Sequence, residues 1–260
     1  MNTSIDQKKA VVLGGSHGLG KSIAEMLVKN GVETVIAGKS KDLIDSAVEE
    51  LSQFGDVSGK KLDLTHDYEV DLFIEELDDY LLGEIDFLIN AAGFFCPKAF
   101  IEMSVSDYDA LLDLNRGFFF ITQEIVKKMK LTGGGVILNI SSFLSRQAMK
   151  GIPSVAFSMA KASLDAFTRQ LSVELSPYNI RVNAISLGIL ENGSLDAHIE
   201  NIPPSWLQEM HRSIDNMHSV GRSGKIAEIT DTVEFLLSDK ATYVNGAIWD
   251  VDGGLSAGRL

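Results

Sequence analysis

The chain has 260 residues, 45% of them hydrophobic, which is enough to bury one full α/β core. Its 36 acidic residues outweigh 23 basic ones, and the net charge of −13 argues against a nucleic-acid partner. No apolar run reaches the roughly 18–20 residues of a membrane span, and the single Cys96 excludes an internal disulfide framework and fits a reducing cytoplasm.

The polar opening MNTSIDQKKA predicts no secretion signal. Apolar runs of strand length then alternate with helical patterns. Ala10–Leu13 is a strand ending in glycines, and Ser22–Lys29 places Ile23, Met26 and Leu27 on one helical face. Strand Thr34–Ala37 and helix Lys41–Phe54 follow. The remaining strands are Lys60–Leu64, Ile85–Asn90, Gly135–Ile140, Ile180–Ser186 and Ala247–Val251. Helical spacing covers 66–82, 104–113, 116–130, 154–176 and 226–238. The acidic run Asp67–Asp79 reads as a solvated helix face. Segment 190–220, with Pro203-Pro204, Trp206 and Met210, reads as an excursion from the sheet, either a small substrate lid or an ordinary helical insertion. No linker or repeat divides 1–260, so one domain is expected. Strict alternation of strand and helix predicts a doubly wound, seven-stranded parallel sheet, the Rossmann fold.

The first strand runs into Leu13-Gly14-Gly15-Ser16-His17-Gly18-Leu19-Gly20 and then a helix. Glycines there let backbone N–H groups approach a pyrophosphate, and the helix N-terminus adds positive partial charge. The second strand ends in Gly38-Lys39-Ser40, a cation and a hydroxyl where NAD sites usually place a carboxylate. Lys39, with His17 within reach, favours the 2′-phosphate of NADP; the bland alternative is a solvated surface lysine.

These motifs, with others in order behind them, resemble the short-chain dehydrogenase/reductase family over essentially the full length. Asp63-Leu64 is similar to the pair that holds the adenine, and Asn90-Ala91-Ala92-Gly93 to an Asn-Asn-Ala-Gly turn. Asn115, Ser142 and Lys161 match three residues of the family's catalytic group. Ser186-Leu187-Gly188, followed by Ile189, stands where Ser/Pro-Gly is usual. Asn192 takes a common Thr position, and Val251-Asp252-Gly253-Gly254 resembles the last strand and turn. The resemblance implies that the glycine loop, Lys39, Ser40, Asp63, Leu64, Asn90, Ala91, Gly93, Lys161, Gly188 and Ile189 hold the cofactor. It also implies that serine positions the substrate oxygen, lysine holds the nicotinamide ribose, and asparagine holds a water of the proton relay.

The departure is Phe157. The family has Tyr there, a hydroxyl that exchanges a proton with the substrate oxygen. Three readings stand. The protein is a working oxidoreductase with altered proton delivery, acting on a carbonyl, an alcohol or a conjugated enone. It is an NADP-binding module without redox activity. Or Phe157 is an engineered Tyr-to-Phe change in an ordinary carbonyl reductase.

Around the nicotinamide the resemblance gathers Phe94, Phe95, Phe143, Leu144, Met149, Ile152, Trp206 and Met210, favouring an apolar or ring-bearing small molecule. Arg146 and Lys150 are either anion contacts or solvated. His198, His211 and His218 read as surface, and no metal-ligand spacing occurs. A homotetramer is implied by the resemblance and by the apolar surplus of helices 104–130 and 154–176, namely Phe118–Phe120, Phe157, Leu164, Phe167 and Leu171.

Overall fold

A computed structural model describes residues 5–80, 83–191 and 217–258. Its centre is a seven-stranded parallel sheet in the order β3-β2-β1-β4-β5-β6-β7. The strands are β1 (Lys9–Leu13), β2 (Glu33–Gly38), β3 (Val57–Lys61), β4 (Phe87–Asn90), β5 (Gly135–Ser142), β6 (Ile180–Leu187) and β7 (Ile248–Val251). The helices are α1 (Gly18–Lys29), α2 (Lys41–Leu51), α3 (Asp67–Glu75), α4 (Val105–Thr132), α5 (Val155–Leu175) and α6 (Ile226–Leu237).

Alternate strand residues face opposite sides, so two cores form. Val12 and Ile36 pack with Ile23, Leu27, Ile44 and Val233 under α1, α2 and α6. Val11 and Val35 pack with Val70, Phe118, Ile125 and Leu164 under α3, α4 and α5. Each fully buried aliphatic side chain contributes roughly 1.5–3 kcal/mol. The sheet order reverses between β1 and β4, and ligands of such sheets bind outside the strand ends at that switch point.

Several elements differ from their expected bounds, α1 starting at Gly18 and α3 ending at Glu75 among them, and two differences have a physical reason. β3 covers 57–61 rather than 60–64, because it is a half-exposed edge strand; Leu62, Asp63 and Leu64 are buried after leaving the ladder. The two helices expected over 104–113 and 116–130 are one, α4. Ser104 and Asp107 cap its start reciprocally, and Gly133 ends it in the left-handed region. Gly117 within it serves close approach: a Cβ there would lie 2.5 Å from the Leu64 carbonyl oxygen. Of the apolar surplus expected on α4 and α5, Phe118 and Leu164 are intramolecular core, whereas Phe119 and Phe120 are exposed.

Most of the expected lid, with Asn192, His198, Trp206, Met210 and His211, lies outside the described residues. Of its described end, His218 is not a surface residue. It is 3% exposed, and its Nε2 accepts the Ile189 N–H at 3.2 Å. The polar surroundings hid this, because burial comes from the 188–189 and 252–253 backbones, distant in sequence.

Candidate active site

A cavity of about 630 Å³ opens at the switch point. Its floor is the glycine loop. Gly14 has φ +87°, and a Cβ there would meet the Ala92 backbone at 2.5 Å, so the loop and the 91–93 turn pack backbone to backbone. A Cβ at Gly18 would meet nothing within 4 Å, which leaves room at the N-terminus of α1 for a phosphate group. Gly14, Ser16, His17, Gly18, Leu19 and Gly20 all line the cavity, so the loop fits a dinucleotide.

At one end, Lys39, Asp63 and Leu64 line the wall. Leu62 N–H donates to the Gly38 carbonyl at 2.7 Å, which brings the residues after β3 beside the tip of β2. Asp63 therefore supplies a carboxylate beside the tip, where the sequence of the second strand shows none. Lys39 Nζ lies 2.9 Å from Asp63 Oδ2, and His66 Nδ1 lies 3.1 Å from it. Burial pushes the Asp63 carboxyl up, but hydrogen bonds from Lys39 and Thr65 outweigh it and hold the group well below the carboxylate range. Lys39 is 78% exposed, with Asp63 as its ion-pair partner. Ser16 and His17 approach each other at 3.1 Å in the neighbouring loop. Ser40 does not line the cavity; it caps α2, accepting from Leu43 N–H.

At the other end the polar lining residues are Ser141, whose hydroxyl donates to Asp165, Ser142 and Lys161; the rest is apolar. Phe94, Phe95, Phe143, Leu144, Ile152, Phe157, Leu187, Ile189 and Leu190 form the wall with Ala91, Gly93 and Gly188. Phe157 meets Phe95 edge to face, with centroids 5.2 Å apart. Ser142 and Lys161 are the polar pair. The Ser142 hydroxyl accepts the Leu144 N–H at 3.3 Å, and Lys161 Nζ donates to the Ile140 carbonyl at 2.7 Å. Desolvation pulls the Lys161 ammonium down to about 8, opposed by the negative charge of Asp165.

Two expected site residues stand behind the wall. Asn90 is fully buried and donates to Asn139 at 2.7 Å, bracing β4 against β5. Asn115 donates to the Ala160 carbonyl at 2.8 Å and to Ser163 at 2.6 Å, tying α4 to α5. Arg146 pairs with Asp250 on β7 rather than facing the cavity, and Met149 packs behind it. Sequence reasoning missed Asp165, which is 1% exposed and binds Ser141 and Ser145. Its spacing of four from Lys161 is the only signal that could have found it.

The family model described as enoyl-(acyl carrier protein) reductase matches residues 14–256. The chain belongs to the short-chain dehydrogenase/reductase family. It is 31% identical over 258 residues to the 3-oxoacyl-(acyl-carrier-protein) reductase FabG of Aquifex aeolicus, covering 98% of this chain and 100% of that one. It is 32% identical over 254 residues to the 3alpha-hydroxysteroid dehydrogenase of Mediterraneibacter gnavus, covering 96% and 97%. The fold is similar to L-sorbose reductase from Gluconobacter frateurii, solved with NADPH and L-sorbose; the TM-score is 0.88, with 26% identity and 100% of both chains covered. These relatives of the short-chain dehydrogenase/reductase family are oxidoreductases.

Proposed function

We propose that the protein is an NADP(H)-dependent oxidoreductase that reduces a conjugated enone or carbonyl of an apolar, ring-bearing small molecule. The observation that carries this reading is the polar pair Ser142 and Lys161 in a largely apolar wall beside Phe157. When bound, the dinucleotide supplies hydride. Lys39 would hold its 2′-phosphate and the glycine loop its pyrophosphate. Asp63 and Leu64 would take the adenine, and Lys161 with the 188–189 backbone the nicotinamide end.

Phe157 has no proton to give. A conjugated enone suits such a site. Hydride at the far carbon moves the π electrons onto the oxygen, and the resulting enolate is delocalised. Ser142 donates its hydroxyl hydrogen to that oxygen. Lys161, with an ammonium near 8, has the acidity to protonate the enolate at neutral pH, directly or through one water. An N–H bond breaks, an O–H bond forms, and the amine regains its proton from solvent. Asn115 fixes α5, which carries both Phe157 and Lys161.

The family description and relatives named for acyl and steroid substrates support an apolar substrate. The L-sorbose reductase complex supports NADPH. The exposed Phe119, Phe120 and Met159 on α4 and α5 support assembly as a homotetramer, read by light scattering. The free Cys96 suits a reducing cytoplasm. Among the described residues, no helix is long and apolar enough to cross a membrane.

The test is NADPH oxidation against a panel of enones, quinones and ketones, by wild type and Ser142→Ala. Turnover of an enone, reduced in the variant, is expected. Tight NADPH binding with no turnover of any of them would leave a cofactor-binding module.

A further inference from the structure

Asp165 is a fully buried acid with no role in the scheme above. It sits one helical turn after Lys161 on α5 and is 1% exposed. Its Oδ1 accepts from the Ser141 hydroxyl at 2.5 Å, and its Oδ2 from the Ser145 hydroxyl at 2.6 Å. Two hydroxyl donors, one on each oxygen, satisfy a carboxylate and require no carboxyl proton. No cation lies within ion-pair distance of it among the described residues. Burying a carboxylate on hydroxyls alone costs several kcal/mol unless a charge nearby offsets it.

Both donors belong to the turn that presents Ser142. Ser141 precedes it and Ser145 follows three residues later; between them the Ser142 hydroxyl accepts the Leu144 N–H. The Lys161 ammonium donates to the carbonyl of Ile140, immediately before Ser141. The acid on α5 thus grips the same five residues, 141–145, that join these two polar groups. The other charges packed nearby are committed elsewhere. Arg146 of this turn pairs with Asp250 of β7, and Arg116 of α4 pairs with Asp67. The 91–95 turn and the 187–190 segment bring no charged side chain to the cavity wall.

We propose that Asp165 is a positioning residue of the site: its carboxylate clamps the 141–145 turn that aims Ser142 and serves as the counter-charge that keeps Lys161 an ammonium inside an apolar cavity. This rests on the reading of Lys161 as the proton source. Desolvation alone works against that ammonium, and the Asp165 charge acts in the opposite direction. With tyrosine absent, the ammonium carries the proton that the enolate takes.

The test needs no turnover. Lysine labelled at 13Cε reports each ammonium as it titrates, and the Lys161 signal is assigned by its loss in Lys161→Arg. In Asp165→Asn, which keeps the shape and removes the charge, the Lys161 midpoint is expected to fall to lower pH. An unmoved or raised midpoint would overturn the proposal. If Asp165→Asn does not fold, the same Lys161 measurement is made in Asp165→Ser, which keeps a hydrogen-bonding group and removes the charge. An unmoved or raised Lys161 midpoint there overturns the proposal equally. A shifted midpoint in a protein that turns over no substrate would reject the reductase reading while leaving the electrostatic coupling in place.

Discussion

The Lys161 ammonium lies 5.7 Å from the centre of the Phe157 ring, one turn along α5 in an apolar wall. The resemblance places a proton-exchanging tyrosine hydroxyl on this ring, beside the lysine, and Phe157 lacks it. Adding back one oxygen should therefore have a large effect. Phe157→Tyr is expected to raise reduction of simple ketones by roughly two to four powers of ten, the usual worth of a positioned general acid. Initial rates of NADPH oxidation with cyclic ketones measure it. Equal rates in both proteins would mean that the pocket no longer presents a carbonyl to this position.

Lys39 has to leave Asp63, 2.9 Å away, to meet a 2′-phosphate. The exchange still favours NADPH, because the phosphate carries nearly two charges. Lys39→Ala should cost roughly 1.5–3 kcal/mol of NADPH affinity, about ten- to a hundredfold, and leave NADH affinity nearly unchanged. Fluorescence titration of both cofactors reads this directly. Equal affinities for the two cofactors in both proteins would remove the argument.

The cavity floor depends on backbone approach. Gly14→Ala places a methyl group 2.5 Å from the Ala92 backbone, at a φ that L residues rarely adopt. Neither backbone can yield without moving β1 or β4, whose last residues Leu13 and Asn90 are register partners. Loss of NADPH binding and a lower melting temperature are expected together. A variant that binds NADPH normally would show that the loop and the 91–93 turn are not in contact.

Lys161 should be kept at the expense of stability. Burial lowers its ammonium from 10.5 to about 8. At about 1.4 kcal/mol per pH unit, that displacement costs the fold on the order of 3 kcal/mol. Lys161→Met relieves this but leaves the Ile140 carbonyl unpaired and removes the charge that offsets Asp165, so the pH dependence rather than the net effect at pH 7 is the readout. Between 8 and 10.5 the unfolded lysine holds more protons than the folded one, so wild-type stability rises with pH there. The methionine variant should lack that rise. Denaturant melts at pH 7 and pH 10 test it: the wild type should gain on the variant between them, and a constant difference would contradict it.

The sheet was legible because its strands are nearly continuous apolar runs, as Val11, Val12 and Leu13 show. The cavity floor was legible because glycine loops have a fixed relation to the strand before them and the helix after them. What escaped reading depends on pairs far apart in sequence. Asp63 meets Lys39 only because β2 and β3 are neighbours. Asn115 turns to Ala160 and Ser163 across a helix interface, a direction that spacing within α4 does not contain. His218 gave a polar signal in a polar segment, and only the fold buries it.

In the proposed function, hydride passes from the nicotinamide to an enone beside Ser142 and Lys161 without a tyrosine. It is tested most directly with NADPH deuterated at C4 and a cyclic enone, with the product examined by mass spectrometry and NMR. One deuterium is expected on the carbon β to the carbonyl, and a solvent-derived hydrogen on the α carbon once the enol reverts to the ketone. Recovery of unlabelled enone, with the deuterated cofactor bound and unconsumed, would contradict it.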